Sequence, residues 1–280
     1  MKAHRFILSV LSLGVAASLA FGFGFGDLAK GTLEKVATDP NKRDQALKSI
    51  DGLTVQEEID IGDSVSVEIV ARYGGLWKNT VAMQRVNLVG RALTRYAKRD
   101  SLDWRFALLN SDAINAFSAP NGRVFITKGL YKLLENDDEL AGVLAHEIAH
   151  IDLKHAEQVI RGKQGTGVLA AAAMETGGDQ VGNKFPGLSG VAQQLEESVA
   201  KAVTGILTKG YGSDKEYAAD ATGYELAKTT GFNPEGLRIA LNKVEANTAH
   251  TKETFNTHPK TSDRLKKLPG GEGKKKGKGK

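Results

Sequence analysis

The sequence predicts an α+β protein, mostly helical, with one small antiparallel sheet beside a buried helix. Three observations predict it. Apolar residues recur at helical spacing in several windows after Thr54. Capping and stop signals punctuate those windows. Pro120-Asn121-Gly122 then separates two short runs rich in β-formers, as a hairpin turn does. A hydrophobic content of 41% suits a packed core, and the chain has no repeat at solenoid periods.

Taken in order, residues 1–20 run from basic to apolar to small, the order of a cleaved signal peptide; an uncleaved anchor reaching Gly26 is the alternative. Residues 21–53 read as a linker or N-terminal extension, and 54–268 as the main domain. Thr54-x-x-Glu57 is a capping box opening a helix with Ile59, Val65 and Ile69 on its apolar side. A second helix from about Thr80 has Val81, Val86, Val89, Leu93 and Tyr96 as its expected buried face. Strands are expected near 104–109, 115–119 and 123–127. Asn136 caps the next helix, with Asp137, Asp138 and Glu139 at its positive end. Leu140, Val143, Leu144, Ile148 and Ile151 should bury one side of it. Residues 162–190 form a Gly-rich insertion, and helical spacing resumes over 189–207. A further helix ends at Gly231, another starts at Asn233-Pro234, and 269–280 is a disordered Lys/Gly tail.

The formal charge of +5 points at first to nucleic acid, but it is concentrated at the two ends of the chain, so the body is close to neutral and no nucleic-acid partner is expected. The tail lysines read as a solubilising end, or as a weak attachment to an anionic membrane surface. Cysteine is absent, which excludes disulfides, a lipid-anchored cysteine and thiolate metal ligands. Any metal must be held by histidines and carboxylates.

Two of only six histidines, His146 and His150, stand four apart in Leu144-Ala145-His146-Glu147-Ile148-Ala149-His150. On a helix that spacing puts both imidazoles on one face, where they can reach a single zinc ion, with Glu147 placed as general base. The plain alternative is two core histidines with backbone partners. A catalytic zinc needs a third protein ligand. His155, five residues past His150, is turned well off the ligand face of a continuing helix. Glu216 is the candidate from a second helix, with Asp220 one turn on, able to accept the N–H of a ligand histidine. Ser213-x-x-Glu216 is equally a capping box, so Glu216 has two readings.

Together HEIAH, the downstream SDKEYAAD and the preceding NAFSAPNGRVFITKGL resemble the zinc metalloendopeptidases that include HtpX and the CAAX prenyl proteases. The chain is most similar to their small exported bacterial relatives, over about residues 55–268. The resemblance implies a zincin-like (gluzincin) fold, one Zn2+ per chain, and Glu216 as third ligand beside His146 and His150. It implies that His258, in His258-Pro259, lines the active site and steadies the substrate oxygen, and that Arg264 helps hold that loop. It places a substrate edge strand at Arg123, Val124 and Phe125, with Asn115, Ala116 and Phe117 beside it. Lacking the multi-spanning segments of HtpX, the chain is not expected to take a prenyl substrate. The expected activity is hydrolysis of extended polypeptides, in unfolded or damaged envelope proteins, by an exported or periplasmic enzyme. The alternative is a non-catalytic or latent zinc-binding chaperone or scaffold.

Overall fold

The computed structural model describes residues 55–160, 201–248, 258 and 260–270. The leader, the Gly-rich insertion and the Lys tail lie outside the described residues. Described residues fall into two compact units: 55–68, 157–160 and 201–205 in one, and 69–156, 206–248, 258 and 260–270 in the other. The first unit is helical and holds most of α1 (Val55–Arg72). The second holds the sheet and all the candidate site residues.

Within the second unit, α2 (Thr80–Thr94) starts where the Asn79 side chain accepts the Ala82 N–H at 3.0 Å. Its buried face is Ala82, Val86, Val89, Gly90 and Leu93. Val81 and Tyr96, expected in that face, are instead 75% and 59% exposed. Val81 is five residues from Val86 and so turned away from it, and Tyr96 lies past the end of the helix.

The strands are β1 (Arg105–Leu109), β2 (Ala116–Ala119) and β3 (Arg123–Thr127). Asn121 and Gly122 both take positive φ, 58° and 77°, as a tight hairpin turn requires, and β2 pairs antiparallel with β3. The other pairing departs from expectation, because β1 runs parallel to β3, with Arg105 opposite Arg123 and Leu109 opposite Thr127. The sheet is therefore mixed, in the order β1-β3-β2. A turn signal specifies only the two strands it joins; it is silent on the third.

This order also corrects the edge assignment. Arg123, Val124 and Phe125 are in the central strand, whose main chain is paired on both sides. The outer side of β1 is met by Leu76, which bridges Leu109. β2, with Ala116 and Phe117, is the edge, and Asn115 directly precedes it. The Asn115 carbonyl accepts the Thr127 N–H, so 115, 117 and 119 turn their main chain toward β3, and 116 and 118 turn theirs outward.

After the short α3 (Lys128–Leu133), α4 (Asp137–Asp152) carries the metal motif. Asn136 Oδ1 accepts the Glu139 N–H at 3.0 Å, while the Glu139 carboxylate accepts from Glu135 N–H and from Lys243 Nζ. Expectation buried one side of this helix. In the structure every residue from Glu139 to Ile151 is buried. Enclosure comes from α2, the sheet, α5 (Ser213–Thr230) and α6 (Gly236–Thr248), and the core runs through Val86, Leu108, Ile126, Leu144, Ile148 and Val244. α6 starts two residues later than the Asn233-Pro234 signal, because Asn233 first makes a turn, accepting the Glu235 N–H. The last element is α7 (Thr261–Lys267).

Glycines set how closely the helices approach α4. A Cβ on Gly142 would run into the backbone nitrogen of Leu237 at the start of α6, and one on Gly223 of α5 would lie 2.9 Å from the His146 nitrogen. Both obstacles are main chain, which cannot rotate aside. Gly142→Ala is thus expected to lower stability by about 1–3 kcal/mol or more in urea denaturation, despite its better helix propensity. An unchanged or raised midpoint would show that α6 can retreat freely.

Candidate metal centre

His146, Glu147 and His150 come from α4, and Glu216 and Asp220 from α5. The competing reading of Glu216 as a capping residue is not what the structure holds: the N-cap is Gly212, with no side-chain cap bond. Glu216 is instead fully buried, with Oε2 at 3.4 Å from His146 Nε2 and Oε1 at 3.7 Å from His150 Nε2. The two Nε2 atoms are 3.1 Å apart. His258 joins them, its Nδ1 at 2.5 Å from Glu216 Oε2. One ligand atom from each of His146, His150, Glu216 and His258 lies within 4.8 Å of all the others.

Asp220 stands behind His146, its Oδ1 at 2.9 Å from Nδ1. Arg264, expected to hold the His258 loop, is buried in this layer. Its Nη2 and Nε donate to the two Asp220 oxygens at 2.6 and 3.0 Å. Sequence reasoning missed Tyr211, and of His155 it foresaw only that the ring is no ligand. Tyr211 stacks on His150, with ring centroids 4.4 Å apart at 25°, and its hydroxyl donates to the outward-facing Ser118 carbonyl of β2 at 3.4 Å. His155 stays outside the ligand group, as its offset implied, yet its Nδ1 is 2.8 Å from His150 Nδ1. Tyr211 gave one usable signal, a large aromatic five residues before Glu216.

These neighbours set the protonation of the cluster. Burial and the Arg264 guanidinium act to lower the His146 pKa, but Asp220 and Glu216 outweigh them and push it up to about 9. Burial lowers His150 in spite of Glu216, and burial together with His150 and Lys215 takes His155 down to about 3. The carboxyls of Glu216 and Asp220 are held below the usual carboxylate range although burial opposes it, Glu216 by His258 and His150, Asp220 by Arg264 and His146.

The donor set fits a zinc-type cation. Three imidazoles and a carboxylate, the expected ligands His146, His150 and Glu216 among them, are ligand types such an ion takes when thiolates are absent. Glu216 Oε1 is buried without a hydrogen-bond partner, an arrangement that favours a nearby positive charge. Among the described residues no helix is long and apolar enough to cross a membrane.

A fully enclosed helix bearing His-Glu-x-x-His, met by a buried glutamate from a second helix, is the architecture of the metallopeptidase class. Residues 82–271 match peptidase family M48, and the chain belongs to that family. It is 29% identical to the beta-barrel assembly-enhancing protease of Yersinia pestis over 76% of this chain and 43% of that protein. The protease of the same name from Escherichia coli K12 is 24% identical over 91% of this chain and 51% of its own length. The chain thus spans about half the length of these two relatives. Metalloprotease YcaL of E. coli K12 is 26% identical, over 75% of this chain and 74% of that protein.

Proposed function

We propose that this chain is a zinc-dependent endopeptidase that hydrolyses peptide bonds in unfolded or damaged proteins of the cell envelope. The observation that carries the proposal is the convergence of His146 and His150 from the buried helix α4 with Glu216 from the buried face of α5, and Glu147 beside the histidines on α4. Family membership supports the peptidase chemistry. Two relatives named for β-barrel assembly support the envelope as its setting, consistent with the signal-peptide pattern of residues 1–20.

His146 and His150 through Nε2, and Glu216 through its carboxylate, would hold the ion. Bound there, zinc supplies an activated water and a polarised substrate carbonyl. Glu147 takes the proton from the attacking water onto its carboxylate and delivers it to the leaving amine nitrogen. Asp220 accepts the His146 Nδ1 proton and so fixes that imidazole with Nε2 toward the ion. His258 is assigned to donate an N–H to the carbonyl oxygen as negative charge develops there.

Substrate is proposed to enter extended, adding a strand to the outer side of β2 at Ala116–Ser118 once the Asn115 and Tyr211 side chains that occupy that side have moved away. Tyr211 is what brings this edge and the metal cluster together, since one side chain stacks on His150 and reaches the Ser118 carbonyl. Main-chain pairing of this kind is tolerant of side chains, which suits unfolded chains of many sequences.

Metal analysis of the purified chain should give about one zinc per molecule. Digestion of denatured casein should stop on chelation and return with added zinc. Digestion that survives complete metal removal, or a zinc-loaded chain inert toward every unfolded protein tried, would overturn the proposal.

A further inference from the structure

We propose that His155 is a positioning residue of the metal centre, holding His150 in the tautomer that presents Nε2 to the ion. The inference rests on the zinc reading above and deepens it.

α4 ends at Asp152, and a helix continuing past it would carry His155 away from His150. Instead Lys154 takes a positive φ of 54°, unusual for a residue with a side chain, and the chain turns back against the last turn of α4. His155 is thereby only 3% exposed and His150 1% exposed, with their Nδ1 atoms at 2.8 Å. Two imidazole nitrogens at that distance share one proton, one donating and the other accepting. His150 Nε2 faces His146 Nε2 at 3.1 Å and Glu216 Oε1 at 3.7 Å, so its lone pair is the one an ion would take. The His150 proton then sits on Nδ1, His155 Nδ1 accepts it, and His155 carries its own proton on Nε2.

The two ligand imidazoles thus have unlike supports. A carboxylate, Asp220, serves His146; a neutral ring serves His150. That second support fixes a tautomer without adding negative charge beside Glu216 and Asp220. Tyr211 packs its ring 4.4 Å from His150 and 5.9 Å from His155, which limits the room for a water to replace the His155 acceptor.

The test compares the full chain with His155→Phe, which keeps a ring and removes the acceptor, and His155→Gln, which restores an acceptor oxygen. Zinc affinity is read by competition with a chromophoric chelator, and folding of the metal-free chains by circular dichroism. Phe is expected to weaken zinc about 10- to 100-fold, the range for loss of a histidine's supporting partner, and Gln to recover most of it. Equal affinity in wild type and Phe variant, or no recovery with Gln in folded protein, overturns the inference and leaves the zinc reading intact. A wild-type chain that binds no zinc overturns that reading first. If the Phe variant does not fold, nitrogen-15 NMR of the zinc-loaded wild type decides: a proton on His155 Nε2 supports the inference, and one on Nδ1 overturns it.

Discussion

Glu147→Gln is expected to lower hydrolysis of denatured protein by about 10²–10⁴-fold, the usual worth of a positioned general base, while zinc content stays at the wild-type level. Gln has nearly the shape of Glu, so the buried position on α4 is kept, but its amide cannot accept the proton of an attacking water. The three proposed ligands are untouched, which separates loss of the base from loss of the metal. Because Glu147 is only 2% exposed and a buried charge costs free energy, removing its charge should not weaken the fold. Single-turnover digestion with matched zinc-loaded chains is the measurement. A Gln variant as fast as wild type would remove Glu147 from the chemistry, and one that loses zinc would make it a structural part of the cluster.

Arg264→Met is expected to destabilise the metal-free chain by about 3–5 kcal/mol, the cost of leaving one partner of a buried ion pair behind. Arg264 and Asp220 are 1% and 2% exposed and joined by two hydrogen bonds, so the carboxylate left by the substitution has no solvent to turn to. Replacing both, as Arg264→Met with Asp220→Leu, should recover part of the loss, because the buried carboxylate is gone while His146 Nδ1 loses its acceptor. Urea denaturation of the two variants checks this. A loss below about 1 kcal/mol in the single variant would mean that His146, already 2.9 Å from Asp220, is enough to hold the carboxylate.

Local features were the legible part of this fold. The Asn136 cap, the Asn121-Gly122 turn and the stop at Gly231 each act through a few neighbouring residues, and each stands in the structure as its residues dictate. HEIAH was legible for the same reason, since one turn of helix is a local geometry. Pairing of β1 with β3 joins residues 18 apart, as Arg105 with Arg123, and no local signal encodes it. All-round burial of α4 likewise depends on which helices arrive later in the chain. His155 was misleading in an instructive way: a helical wheel turns it off the ligand face, and that holds, but Lys154 ends the helix geometry and returns the ring to the back of His150. Arg264 could be placed near the site by resemblance and Asp220 by its spacing from Glu216, whereas their pairing joins residues 44 apart and no local signal encodes it.

The outward side of β2 bears on self-association as well as on the proposed substrate pairing. Ala116 N–H is taken by the side chain of Asn115 at 2.9 Å, and the Ser118 carbonyl by the Tyr211 hydroxyl at 3.4 Å. A four-residue strand with these groups already occupied is a poor template for unwanted strand addition. On the proposed function the protein would meet many sticky strands, and one with a bare edge would be drawn into their aggregates. Here a stray strand must first displace two of the protein's own side chains, and that protection gives way wherever a chain binds well enough to move Tyr211 aside.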